Sequence, residues 1–134
     1  MKRFPSVQSG QLLFATGVLH SAVGLVVYRA EVADILRRGL LGAVPDDHTP
    51  GAAALWFLTA GLMMMVLGSL YRWIEGHLRQ TLPFAAGVWL LGVAGFVVVL
   101  MPQSGAWLIA VQAVLIMVRA RAQSRRQQAA GAAA

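Results

Sequence analysis

The chain has no cysteine. That removes disulfide frameworks, thiol catalysis and thiolate metal sites together. It also removes the quinone-coupled thiol oxidoreductases built on four-span bundles. Charge is scarce as well. Only 12% of the 134 residues are charged, and just 5 of these are Asp or Glu. An average soluble domain carries about 25% charged and about 45–50% apolar residues. Here the hydrophobic share is 58%. A chain this short has too much surface for its volume to hide that share in water, and it is too apolar for a disordered segment. Phosphate-binding Gly-rich loops, zinc-protease motifs and nucleophile elbows are all missing. No carboxylate lies inside a long apolar run, which argues against a proton-coupled small multidrug exporter. One domain with the composition of a membrane protein remains.

Four apolar runs carry that reading. They predict spans at about 10–28, 52–73, 82–101 and 106–121. Crossing about 30 Å of hydrocarbon takes about 20 helical residues. The fourth run is apolar only to Val118 and needs Arg119 and Arg121 to snorkel into the headgroups. Residues 1–9 precede the domain, and residues 122–134 form a basic, Ala-rich tail expected to fray. The first run is read as a retained span. It is longer than a signal-peptide core, and Tyr28-Arg29-Ala30 is a poor cleavage site.

The connections add detail. Between spans one and two, Val32, Ile35, Leu36 and Leu40 share one helical side, with Glu31, Asp34, Arg37 and Arg38 on the other. This predicts a short amphipathic interfacial helix ending near Gly39, with Asp34 pairing Arg37 or Arg38. Residues 45–50 read as a loop, and Thr49-Pro50 as the cap and first turn of span two. The acidic group Glu31, Asp34, Asp46, Asp47 and His48 has no diagnostic metal spacing, so no metal site is expected. Pro102-Gln103-Ser104-Gly105 predicts a tight turn that pairs spans three and four.

Basic residues set the orientation. Lys2, Arg3, Arg72, Arg79, Arg119, Arg121, Arg125 and Arg126 fall on one side, against Arg29, Arg37 and Arg38 on the other. The positive-inside rule puts both termini in the cytoplasm. It also accounts for the net charge of +6, so no nucleic-acid partner is expected. Tyr28, Trp56 and Trp107 then mark the outer interface, and Tyr71, Trp73 and Phe84 the inner one.

Span one has a small, polar side formed by Thr16, Gly17, His20, Ser21 and Gly24. Small residues let helices approach closely in lipid, so this side is expected to face the bundle. Ala54, Gly61 and Gly68 repeat the device at heptad spacing in span two, and Gly92 and Gly95 are its expected counterpart in span three. Met63-Met64-Met65 points in three directions and reads as adaptable packing. His20 stands out because an ionisable side chain inside a span is costly and marks a functional site by default. The alternative is a neutral histidine bonded to Thr16, Thr59 or Gln112. Paired haem ligation is not offered, because His48 and His77 read as loop residues on opposite sides.

Gly17-Val18-Leu19-His20 with Gly24, the Ile35–Gly39 segment, Ala54-Leu55-Trp56-Phe57 with Gly61, and Met101-Pro102-Gln103-Ser104-Gly105-Ala106-Trp107 together resemble small bacterial four-span inner-membrane proteins of unknown function, loosely DoxX-like. The resemblance covers about residues 10–118 and implies an integral inner-membrane protein. It implies no catalytic residues.

The expectation is an all-α four-helix transmembrane bundle in the bacterial inner membrane. Its role is expected to be non-enzymatic: binding a hydrophobic or lipid-like ligand, or a membrane partner, at Thr16, His20, Ser21, Thr59 and Gln112. The acidic loop would shape the entrance. Membrane lipids, a second copy or another membrane protein are the expected partners, and no cofactor is expected. The alternatives are a small enzyme using His20 as acid or base on a lipid-like substrate, and an oligomeric transporter subunit.

Overall fold

The computed structural model describes residues 8–44, 49–78 and 80–132. The expectations for Lys2, Arg3, the 45–48 loop with Asp46, Asp47 and His48, and Arg79 lie outside the described residues. Five helices follow in order: α1 (Ser9–Val27), α2 (Arg29–Arg37), α3 (Pro50–His77), α4 (Phe84–Leu100) and α5 (Ala106–Ala132). The described residues contain no strand.

Three helices, α1, α3 and α5, are long and apolar enough to cross a membrane. The weaker span differs from the expectation. α4 has 17 residues, about 25 Å at 1.5 Å per residue. α5 instead continues past the apolar segment to Ala132, where the sequence reading placed a separate, frayed tail. Its alanines, glutamines and arginines are good helix formers, so the helix does not stop where hydropathy does.

Local signals explain the boundaries. The Thr49 side chain accepts the Ala52 N–H at 3.2 Å, with Pro50 in the first turn. This satisfies one of the donors that a helix start leaves over. α2 is the expected amphipathic helix, with Asp34 paired to Arg38 at 2.8 Å. After it, Gly39, Leu40 and Gly42 all take positive φ and turn the chain toward α3. Between α4 and α5, Trp107 Nε1 donates to the Pro102 carbonyl at 2.9 Å and ties the turn to the helix it begins.

Packing follows two seams of small residues. α1 and α3 run antiparallel with Gly10 against Gly68 and Gly17 against Gly61. The same register sets Gly24 opposite Ala54, which is 0% exposed. A β-carbon on Gly17 would lie 2.8 Å from both the Gly61 carbonyl oxygen and the Met65 nitrogen. The backbones therefore touch, and only glycine permits it. α4 and α5 repeat the device: a β-carbon on Gly87 would lie 2.8 Å from the Ala113 carbonyl oxygen, and Ala113 is 0% exposed. Continuing that register puts buried Ala94 opposite buried Ala106. The glycines expected to line this seam, Gly92 and Gly95, do not. A β-carbon on either meets nothing within 4 Å. Seven-residue spacing from Gly87 reaches Ala94 and leaves both of them off the contact stripe.

The two pairs meet through α1 and α5. Among the described residues α3 makes no close backbone approach to α4 or α5. The helices thus stand in the order α3, α1, α5, α4, rather than as a bundle closed on all four sides. The interior consists of glycine, alanine and a few larger residues such as Leu13 and Ile116, while Val26, Trp89, Phe96 and Val99 face outward. A protein dissolved in water buries its large apolar side chains. The inverse arrangement fits a chain whose outer solvent is lipid.

Candidate functional site

Along its length α1 packs against α3 and α5, and the residues between their directions form the site. With 3.6 residues per turn, Gly10, Gly17 and Gly24 look toward α3, while Ser9 and Thr16 lie about 100° round, toward α5. Leu13 and His20 fall between the two directions, one heptad apart. Leu13 is 1% exposed and fills the wedge near its closed end. His20 is half-buried. Val27, the next residue in that series, is 61% exposed. The wedge over α1 is therefore closed at Leu13 and opens beyond His20.

Gln112 of α5 is buried, an unusual position for an amide inside an apolar helix. Its Nε2 donates to Thr16 Oγ1 at 2.7 Å, and the Thr16 hydroxyl donates to the Leu12 carbonyl at 2.9 Å. Thr16 thus closes a short chain from α5 to the α1 backbone. His20 sits one turn, about 6 Å, farther along α1. Its ring stacks on Phe57 of α3, with centroids 3.9 Å apart and planes 11° from parallel. The expected partners of His20 are not its partners: Thr16 is engaged by Gln112, and Phe57 holds the imidazole. Tyr28 also meets the Phe57 ring, with centroids 5.5 Å apart and planes 55° from parallel.

Three buried polar atoms have no hydrogen-bond partner among the described residues: His20 Nε2, Ser21 Oγ and Gln112 Oε1. They belong to three of the five residues that the sequence marks as a site. Ser21 is turned toward Gly61, in the α1–α3 seam. Thr59 is half-buried on α3, and its side chain makes no hydrogen bond among the described residues. The structure brings Thr16 and Gln112 into direct contact, places His20 one turn away, sets Ser21 in the α1–α3 seam, and leaves Thr59 about 160° round α3 from Gly61, away from the others.

Sequence reasoning missed Glu75. Its two carboxylate oxygens accept the backbone N–H groups of Ser9 and Gly10 at 3.2 and 3.1 Å. Arg119 Nη1 donates to Ser9 Oγ at 3.0 Å. A carboxylate at a helix N-terminus meets both free donors and the positive end of the helix dipole. α1, α3 and α5 are joined there. The available signal was its isolation, as the one acid among the basic residues of that side. His77, read as a loop residue, is the last residue of α3 and stacks on Trp73 at 5.8 Å. At the opposite end, a pocket of about 370 Å³ between α2 and the start of α3 is lined by Glu31, Asp34, Arg38, Thr49 and Pro50.

The family described as "Family of unknown function (DUF6463)" matches residues 5–123, and the chain belongs to it. No curated protein and no solved structure matches the chain.

Proposed function

We propose that the protein is an integral membrane protein that binds a hydrophobic ligand with a polar head in the wedge between α3 and α5, and that its role is binding rather than catalysis. The observation that carries this reading is the pair of buried, unpartnered polar atoms on facing helices, His20 Nε2 and Gln112 Oε1. In an apolar surrounding an unmet donor or acceptor costs about 1–3 kcal/mol. A ligand hydroxyl, carbonyl or amide placed between them meets both. His20 is held by Phe57, and Gln112 by Thr16, so neither has to be reorganised to receive it. Ser21 lies beside the site in the α1–α3 seam, whereas Thr59, about 160° round α3 from Gly61, takes no part in it. The opening beyond His20 takes the apolar part of the ligand, directly from lipid.

Among the described residues no carboxylate orients the free nitrogen of His20, and this supports binding over acid–base turnover. In the same reading α4 is a fourth, short pass, and both termini lie in the cytoplasm of a bacterial inner-membrane protein, as the distribution of basic residues favours. Membrane lipid, a second copy or another membrane protein surrounds the remaining apolar faces.

Native mass spectrometry of the gently extracted chain tests this, with His20→Leu as the comparison. The wild type is expected to retain a discrete mass distinct from bulk phospholipid. His20→Leu is expected to remain folded and to lose that mass. Bulk phospholipid alone on the wild type, with unchanged or higher stability of His20→Leu, would make His20 a packing residue and overturn the proposal.

A further inference from the structure

A second polar site lies at the other end of the α1–α3 pair. Gln8, Ser69, Arg72, Trp73, Gly76 and His77 line a surface pocket of about 420 Å³, within the range of small-molecule sites. We infer that this pocket holds the phosphate of an anionic phospholipid headgroup, with Arg72 as its principal ligand.

Four observations carry the inference. The Arg72 guanidinium has no ion-pair or hydrogen-bond partner among the described residues; its one ring contact is Phe14, 5.9 Å from the centroid. The nearby acid, Glu75, has both oxygens engaged by the α1 backbone. It therefore faces α1, and it is not among the residues that line the pocket. Gly76 leaves the wall open, since a β-carbon there meets nothing within 4 Å. Finally, the pocket stands at the end of an apolar helix long enough to cross a membrane. Trp73 and His77 stack beside it, and Arg119, Arg121, Arg125 and Arg126 follow the apolar part of α5.

The chemistry suits a phosphodiester. Arg presents a planar fork of donors to phosphate oxygens. The Ser69 hydroxyl and the Gln8 amide add neutral donors, and Trp73 covers the glycerol region at the depth where indoles collect. Free inorganic phosphate offers the same oxygens. The site's position at the apolar boundary, with Trp73 half exposed, favours the lipid. The site is separate from the His20 wedge and stands or falls independently of it.

The test uses the full-length chain in nanodiscs that contain phosphatidylglycerol at low mole fraction in phosphatidylcholine. Native mass spectrometry reads the phosphatidylglycerol retained on release. Arg72→Gln is expected to lower retention about tenfold relative to Arg125→Gln, which removes the same charge from the exposed end of α5. Gly76→Leu, which fills the pocket and keeps every charge, is expected to produce a loss of similar size. It guards against a fold defect specific to Arg72. Millimolar inorganic phosphate is expected not to compete. Equal retention by Arg72→Gln and Arg125→Gln, or undiminished retention by Gly76→Leu, would reduce the effect to diffuse surface charge and overturn the inference. Competition by millimolar phosphate would overturn the lipid as occupant.

Discussion

Gly68→Ala is the most informative single substitution in the α1–α3 seam. An added β-carbon would lie 2.5 Å from the Phe14 nitrogen, 2.8 Å from the Phe14 α-carbon and 2.9 Å from the Gly10 carbonyl oxygen. All three are backbone atoms of the opposing helix, so no side chain can rotate out of the way. Ordinary contact would require α1 and α3 to separate by about 1 Å, and the neighbouring glycine contacts would loosen with them. Overpacking of this kind costs about 1–3 kcal/mol. Replacing a helical glycine by alanine also returns about 0.5–1 kcal/mol of backbone entropy, which would blur a comparison with wild type. Gly92→Ala supplies the correction. Gly92 is also mid-helix, but a β-carbon there meets nothing within 4 Å. The difference between the two variants therefore isolates the seam. Equilibrium unfolding in one detergent should show Gly92→Ala at or above wild-type stability, with Gly68→Ala about 1–3 kcal/mol below Gly92→Ala. Equal stability of the two variants would refute the seam as the source of α1–α3 pairing.

Other consequences follow from the polar contacts. Thr16→Val leaves the Gln112 amide without its acceptor and should cost about 1 kcal/mol. Adding Gln112→Leu should restore most of that loss in a double-mutant cycle read by the same unfolding assay. Glu75→Ala removes the cap on Ser9 and Gly10 and should cost about 1–2 kcal/mol. Faster amide exchange at the start of α1 should accompany it. Asp34→Asn breaks an ion pair whose side chains are 56% and 50% exposed. It should shift stability by less than about 0.5 kcal/mol, and a larger loss would show that α2 is anchored through that pair.

Much of this architecture is legible in residue spacing. Gly17, Gly24, Ala54, Gly61 and Gly68 announce the first seam, because in lipid small residues mark contact. Thr49-Pro50 announces the start of α3, and Asp34 four residues before Arg38 announces their pair. The second seam is less transparent. Gly92 and Gly95 carry the conspicuous residue type, yet the contact stripe runs through Gly87 and Ala94, since alanine serves as well where the approach is less close. Hydropathy also misjudges lengths: a helix ends where its backbone bonds end, so α5 outlasts its apolar part. At the site, Thr16, His20 and Gln112 stand out as polar residues in apolar runs. Their wiring is not legible, because the choice between Thr16 and Phe57 as the anchor for His20 depends on how α1, α3 and α5 are rotated against one another. Glu75 escapes for the same reason. Its partners lie 65 and 66 residues away and are backbone groups, which leave no trace in side-chain pattern.

The most direct test of the central claim places a photo-crosslinking benzoylphenylalanine at Val27, at the open end of the wedge, and in a second protein at Val99. Val99 is 80% exposed on α4. After irradiation in native membranes, intact-mass analysis of each protein reads what was captured. One discrete adduct is expected at Val27, absent when His20→Leu is added, and a spread of ordinary phospholipid adducts at Val99. The same phospholipid spread at both positions would contradict a ligand site in the wedge.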